Sequence, residues 1–386
     1  MSPSIERLGV VGAGTMGAGI AQLGCLGGFE VVLHDPDPQA LASGADRLRA
    51  ALAKGAGKGL WSPEDAARAE GRIETAGFDG LAGADLVIEA APEDLSLKRS
   101  LFADLAETCG PDAILATNTS SIPVSQIAAE VPGPERVLGM HFFNPPALMR
   151  LVEVIAGGQT AEPALDAVTV VARAMNREPV RAADAPGFIV NRCNRPFALE
   201  ALRMLGEEVA GHAEIDRAIR DGGGYRMGPF ELMDLIGVDV NLKVAQSFYS
   251  QRAEPRWKPH PIQEEMVATG RLGRKAGQGF YSYVDGRKVE ERQRSTGATT
   301  DRAILERIVS CLANEASFAV DEGVAGPGDV DKAMKLGLNH PRGPFEWRDK
   351  LGAGRVVATL DTLAEAAASE PESERYRVAD SLRSLA

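Results

Sequence analysis

Cysteine is scarce, and what there is suits neither metal nor disulfides. Cys25, Cys109, Cys193 and Cys311 stand far apart and show no metal-ligand spacing. They read as reduced thiols of a cytoplasmic protein, and no metal centre is expected. Positive charge is in deficit: 42 Lys and Arg against 54 Asp and Glu leave a net charge of -12. That balance excludes non-specific binding to nucleic acid or to an anionic membrane surface. An anionic small molecule, which feels only local charge, is not excluded. Long apolar runs are also missing, with one segment to weigh. Leu8 to Phe29 runs 22 residues without a charge, long enough to cross a bilayer. Eight of those residues are glycine and Gln22 lies inside. A glycine-rich turn between a strand and a helix explains this composition and a membrane helix does not.

What is present points to an enzyme-sized globular chain. Its 386 residues, 44% hydrophobic and 25% charged, suit two or three soluble domains. Leu8-Gly9-Val10-Val11 reads as a short strand, Gly12-Ala13-Gly14-Thr15-Met16-Gly17 follows at once, and a helical run continues from Ala18 to Gly27. Strand, G-x-G-x-x-G and helix together form the context of a dinucleotide fingerprint. The first glycine permits the tight turn, the second lets backbone approach a pyrophosphate, and the third lets helix and strand pack closely. A second strand, Glu30 to His34, ends at Asp35. A carboxylate there accepts from both ribose hydroxyls and repels a 2′-phosphate, so the expected cofactor is NAD rather than NADP.

A second stretch carries acid–base character. Val137-Leu138-Gly139-Met140 looks like a buried parallel strand; His141-Phe142-Phe143-Asn144 closes it, and Pro145 and Pro146 force the chain out of the sheet. An imidazole then stands at the carboxyl end of a strand, where open α/β sheets hold ligands. Glu153 lies twelve residues on, in the strand-like run Leu151 to Ile155. A histidine oriented by a carboxylate is the working pair of a general base. From these residues alone, a core histidine and a strand-edge glutamate are the alternative.

Asp85 to Ala91 is another buried strand, followed by Glu93 and a helix carrying Lys98. Ala113 to Ala116 is the next, ending in Thr117-Asn118-Thr119-Ser120-Ser121, which is either a helix cap or a ligand contact on the same edge. Ala40 to Lys58 reads as a helix with a basic face, solvated or phosphate-binding. The alternation predicts a doubly wound, mostly parallel sheet over residues 1–183, with Glu178 to Arg181 as its last strand.

From Asp184 the pattern is helical, with Asn191 early in a long helix. The helical region repeats at an offset of 115. Glu200-Ala201 matches Glu315-Ala316, Val209-Ala210-Gly211 matches Val324-Ala325-Gly326, and Gly228-Pro229-Phe230-Glu231 matches Gly343-Pro344-Phe345-Glu346. Two tandem all-α domains are expected, 184–283 and 303–386, with a linker over 284–302. Position 191 falls opposite Glu306, so the amide is not repeated and copy two is expected to be structural.

The chain resembles the L-3-hydroxyacyl-CoA dehydrogenase family in its long form with a duplicated C-terminal domain. The residues that carry the resemblance are Gly12 to Ala21, Glu89-Ala90 with Glu93 and Lys98, Asn118 to Ser121, His141 to Pro145, Pro186-Gly187-Phe188, Asn191-Arg192 and Arg274 to Tyr281. It implies NAD-dependent, reversible oxidation of a short-chain (S)-3-hydroxyacyl-CoA in fatty-acid or related acyl-CoA metabolism. His141 and Glu153 would be catalytic. Ser120 and Asn191 would hold the substrate, and Lys58 the CoA phosphate, although Ala51 stands where the family has a serine. Asp35, Glu93, Lys98, Asn118, Ser120 and Lys275 would line NAD together with the glycine turn. Single-copy relatives are expected to dimerise through the helical domain. A fused copy allows a monomer, and a homodimer is the other possibility. A dehydrogenase of a free hydroxy acid, gulonate- or carnitine-type, and a non-catalytic NAD-binding protein are the competing readings.

Overall fold

The structure, a computed structural model, describes residues 5–289, 300–367 and 369–386. It divides into two compact units, Met1–Phe188 and Ile189–Ala386.

The first unit is an eight-stranded sheet with helices on its faces. In chain order its elements are β1 Arg7–Val11, α1 Thr15–Leu26, β2 Glu30–His34, α2 Pro38–Gly57, α3 Pro63–Glu70, β3 Ile73–Thr75, β4 Leu86–Glu89, α4 Leu95–Thr108, β5 Ile114–Thr117, α5 Val124–Ala128, β6 Val137–Phe142, β7 Leu151–Ala156, α6 Glu162–Ala174 and β8 Glu178–Ala183. The strand order β3-β2-β1-β4-β5-β6-β7-β8 is a doubly wound sheet whose order reverses beside β1. Strands β1, β4, β5 and β6 are apolar and buried almost throughout, as strands covered on both faces must be. One core of residues such as Val10, Ile20, Leu33, Ile88, Met140, Val154 and Val168 joins sheet to helices.

The strand that carries His141 is parallel to β5, as its apolar run suggests, but antiparallel to β7. Only residues 143–150 link β6 to β7. A parallel crossover needs a dozen residues or more, so this short link turns the chain straight back. The edge strand β3 and helix α3 are short and largely polar, so the sequence alone does not single them out.

The second unit is helical: α7 Val190–Cys193, α8 Arg195–Gly206, α9 His212–Arg217, α10 Pro229–Ile236, α11 Val238–Arg252, α12 Pro261–Ala268, α13 Asp301–Asp321, α14 Pro327–Leu338, α15 Pro344–Leu351 and α16 Ala353–Ala366. The long helix expected around Asn191 is two helices, because Pro196 supplies no N–H and its ring blocks the preceding turn. The repeat is visible in the bonds. Asp216 accepts from the amides of Phe230 and Glu231, and Asp331, 115 residues later, accepts from those of Phe345 and Glu346. A Cβ at Gly228 or Gly343 would strike these aspartates, so both copies keep glycine there. Both copies lie in one compact unit and share one core, in which Phe197, Ile215 and Phe230 join Ile304, Ile308 and Trp347. Part of the expected linker is a small hairpin, Tyr283–Val284 with Arg287–Lys288; residues 290–299 of it lie outside the described residues.

The copies meet reciprocally. Arg192 pairs with Glu315 at 2.9 Å and Glu322 at 2.8 Å. Its counterpart Arg307 pairs with Glu200 at 2.6 Å and Glu207 at 2.8 Å, the counterparts of those glutamates. Tyr225 and its counterpart His340 touch each other, ring centroids 4.9 Å apart. A contact of i with j′ matched by i′ with j, and a residue that meets its own counterpart, are the marks of a two-fold interface.

Candidate active site

The carboxyl ends of the parallel strands converge on one edge. Val11 is level with both His34 and Glu89, Glu89 with Thr117, and Thr117 with Gly139, two residues short of His141. Asp35, the glycine turn, Asn118 and His141 therefore share that edge.

The glycine turn has the build its sequence requires. Gly12 has φ +97°, and a Cβ there would sit 2.6 Å from the Ala90 carbonyl; a Cβ at Gly17 would sit 1.7 Å from the Gly12 carbonyl. These two glycines are fixed by packing within the chain. Gly14 is different: a Cβ on it would meet nothing within 4 Å. The protein itself gives no reason for that glycine, and a pyrophosphate lying against the turn does. No side chain caps α1, which leaves its first amides for an anion. Asp35 accepts from the Ala13 amide at 2.8 Å and from Asp37 at 3.0 Å, so its carboxylate is held over the turn where a ribose would lie. The turn, the uncapped helix and the acid all fit a dinucleotide.

Beside it runs a buried polar chain. Glu89, fully buried, accepts from Thr117 Oγ1 at 2.6 Å, Ala91 N at 2.6 Å and Lys98 Nζ at 2.5 Å. Lys98 is buried as well, 3.6 Å from Glu93. Glu93 Oε1 gathers the Thr119 and Ser121 hydroxyls and the Ser120 and Ser121 amides. Burial alone would push the Glu93 pKa up. The Thr119 hydroxyl, the Lys98 charge, and the Ser121 and Ser120 donors outweigh it and hold the carboxyl below its ordinary range. Ser120 is thereby fixed. Lys98, expected along the cofactor, spends its charge on Glu89 and Glu93. The sequence assigns no role to Glu89, Thr117 or Thr119; the one signal for them is an acid closing the apolar run Leu86-Val87-Ile88, nine residues before a lysine. Asn118 accepts from the Phe142 amide at 2.8 Å and so ties the β5 end to the β6 end.

His141 and Glu153 are level partners on the antiparallel strands β6 and β7, which puts both side chains on one face. His141 Nδ1 lies 2.6 Å from Glu153 Oε2. Glu153 is fully buried, and the His141 side chain is 7% exposed. Phe143 and Phe188 flank the ring at 4.5 and 5.8 Å. An Nδ1–H donated to the carboxylate leaves the Nε2 lone pair free to take a proton, and the negative partner stabilises the imidazolium that results.

Three further expected site residues stand on other elements. Lys58 is exposed at the end of α2. Asn191 and Lys275 belong to the second unit: Asn191 sits in α7, and Lys275 binds Asp239 at 2.7 Å. Among the described residues no cluster of His, Cys, Asp and Glu could hold a metal, and no helix is long and apolar enough to cross a membrane.

Comparison with known proteins shows the family. The model of the 3-hydroxyacyl-CoA dehydrogenase NAD-binding domain matches residues 7–185, and that of the C-terminal domain matches 187–283 and again 304–386. The chain is 36% identical to the 3-hydroxyadipyl-CoA dehydrogenase of Escherichia coli K12, over 100% of this chain and 98% of that one. It is 39% identical to the 3-hydroxybutyryl-CoA dehydrogenase of Clostridioides difficile, over 72% of this chain and 99% of that one. A crystal structure of 3-hydroxybutyryl-CoA dehydrogenase from E. coli K12 superposes with a TM-score of 0.90 at 35% identity, covering 99% of this chain and 98% of that chain. The chain belongs to the 3-hydroxyacyl-CoA dehydrogenase family.

Proposed function

We propose that the protein oxidises a short-chain (S)-3-hydroxyacyl-CoA to the 3-ketoacyl-CoA, reversibly, with 3-hydroxybutyryl-CoA and acetoacetyl-CoA as the pair to test first. The observation that carries this is the 2.6 Å contact between His141 Nδ1 and Glu153 at the edge that also holds the glycine turn. When bound, NAD supplies a hydride acceptor. The chain's own residues do the rest. His141 Nε2 takes the proton of the 3-hydroxyl, and Glu153 fixes the tautomer and stabilises the charged ring. Phe143 and Phe188 keep water from the imidazole. Ser120, held by Glu93, donates to the substrate oxygen, and Asn191 is the second group for that oxygen. Lys58 is assigned to a CoA phosphate. Asp35, Glu93, Asn118 and Lys275 are assigned to the cofactor, with Lys98 holding Glu93 in place.

The names of the relatives support an acyl-CoA over a free hydroxy acid, and one full-length relative is named for a dicarboxylic acyl group. The reciprocal copy-to-copy contacts support a single chain as the working unit. An NADH-oxidation panel over 3-ketoacyl-CoA esters of differing length and charge, with free acetoacetate alongside, tests the reading. Short esters are expected to react and free acetoacetate to lag far behind. No oxidation with any ester, or a preference for the free acid, contradicts it.

A further inference from the structure

Arg195 opens α8 with a charge that nothing in the chain answers. The residue is 6% exposed. Its Nε donates to the Asn191 carbonyl at 2.9 Å, and its guanidinium lies over the Phe248 ring, 5.5 Å from the centroid. Its Nη1 is cut off from solvent without a hydrogen-bond partner. No carboxylate pairs with the group among the described residues, and burial alone lowers its pKa from 12.5 to about 10. Arg195 is therefore charged at neutral pH. The other buried arginines of this unit are answered: Arg192 by Glu315 and Glu322, Arg203 by Glu200, Arg256 by Glu254 and Glu315. Burying a cation is strongly unfavourable unless an anion meets it, so Arg195 calls for an anion from outside the chain.

The duplication separates two accounts of this residue. The plainer account is structural: Arg195 bridges the break between α7 and α8 and stacks on Phe248. A residue that serves the fold should keep its kind in copy two, as Arg192, Glu200 and Glu207 do in Arg307, Glu315 and Glu322. Position 195 falls opposite Ser310 instead. Arg195 thus sorts with Asn191, whose counterpart is Glu306, and not with the repeated set. The 2.9 Å bond also holds its guanidinium against the backbone of Asn191 itself.

The position narrows the ligand. Asn191 is assigned above to the oxygen on C3 of the substrate. A four-residue step along helical backbone covers about 6 Å. From the C3 oxygen to a carboxylate at C6, three carbon–carbon bonds of about 1.5 Å and the oxygens at either end span nearly the same distance. With Nε taken, Nη1 and Nη2 are left as a fork, and a carboxylate is the anion whose two oxygens match such a fork. We propose that Arg195 receives the distal carboxylate of a six-carbon dicarboxylic acyl group and so selects the acyl chain. This rests on the acyl-CoA reading above and on its place for Asn191.

The test compares 3-oxoadipyl-CoA with 3-oxohexanoyl-CoA, which has the same six-carbon chain ending in a methyl. In the wild type kcat/KM for NADH-dependent reduction is expected to favour the dicarboxylic ester about tenfold or more. Arg195→Met keeps the bulk over Phe248 and removes the charge. It should lower that ratio about 10- to 100-fold, the worth of a hydrogen bond to a charged group, chiefly through KM for the dicarboxylic ester. A wild type that turns over both esters without preference overturns the assignment, and this comparison needs no variant. An equal loss on both esters in Arg195→Met also overturns it, since loss of support for Asn191 alone would give that result. No turnover of either ester by the wild type removes the acyl-CoA reading itself, and the role of Arg195 with it.

Discussion

The first unit buries His141 against Glu153 and Lys98 against Glu89; the second buries Arg192 against Glu315 and Arg307 against Glu200. The two sets answer different needs. In the first unit each buried pair occurs once; Lys98 is spent on Glu89 and Glu93, whereas the His141–Glu153 pair engages Nδ1 and leaves the imidazole Nε2 available. In the second the pairs come in twos at an offset of 115 and are closed on themselves. Burial opposes the charge on Arg192 and Arg307, yet the glutamates facing each hold its proton more firmly than usual. Buried charge alone therefore does not mark an active site. What separates the two regions is whether the partners consume all the hydrogen-bonding capacity or leave an atom such as His141 Nε2 free.

The largest effect that sharpens this contrast is on stability. Breaking a buried pair typically costs about 3–5 kcal/mol, and the low end applies here because Glu315 keeps Arg256 and Glu200 keeps Arg203. Arg192→Met and Arg307→Met should each lose about 3 kcal/mol in urea unfolding. The two losses should be similar, and the wild type should run at one chain's mass in light scattering. A loss in only one of the two would break the two-fold equivalence.

Next in size is the contrast between Asn191 and its counterpart Glu306. Glu306 binds Arg355 at 2.6 Å within copy two. Asn191→Ala should lower kcat/KM by about 10- to 100-fold, the worth of a hydrogen bond at a reacting oxygen. Glu306→Ala should leave it within about twofold. Equal losses in both would show that copy two is not merely structural.

The smallest effect is a pH dependence of stability. His340 is buried against Phe197 and Tyr225, and burial lowers its pKa from 6.5 to about 3. Between those values the unfolded chain takes a proton that the folded chain refuses. Its contribution is therefore present above pH 6.5 and lost as pH falls toward 3. His260, lowered to about 4, acts in the same direction. His340→Phe should flatten part of the acid-side decline in melting temperature, and an unchanged decline would remove His340 as a cause.

How far the sequence reveals all this depends on the kind of residue. Gly12, Gly17 and Asp35 sit in a local pattern, so the turn was legible; the repeat was legible because its register never slips. The pairing of His141 with Glu153 was legible only as a spacing, since the antiparallel return that makes them level depends on the length of the 143–150 link. Glu89 and Lys98 were visible as residues but not as partners, because nothing local states that a strand end and a helix face will meet. The reciprocity of Arg192 and Arg307 lies within the 115-residue offset, yet which glutamates they face is a fact of packing between the copies.

The most direct test of the account is the pH dependence of kcat/KM for 3-hydroxybutyryl-CoA oxidation in the wild type and in His141→Gln, with NAD binding measured alongside. The wild type should show a rate that rises with pH through a single ionisation, since the imidazole must be neutral to accept the proton. In His141→Gln that limb should vanish, with activity down about 10²–10⁴-fold and NAD still bound. A variant that keeps the same limb and a near-wild-type rate would contradict the assignment of His141 as the base.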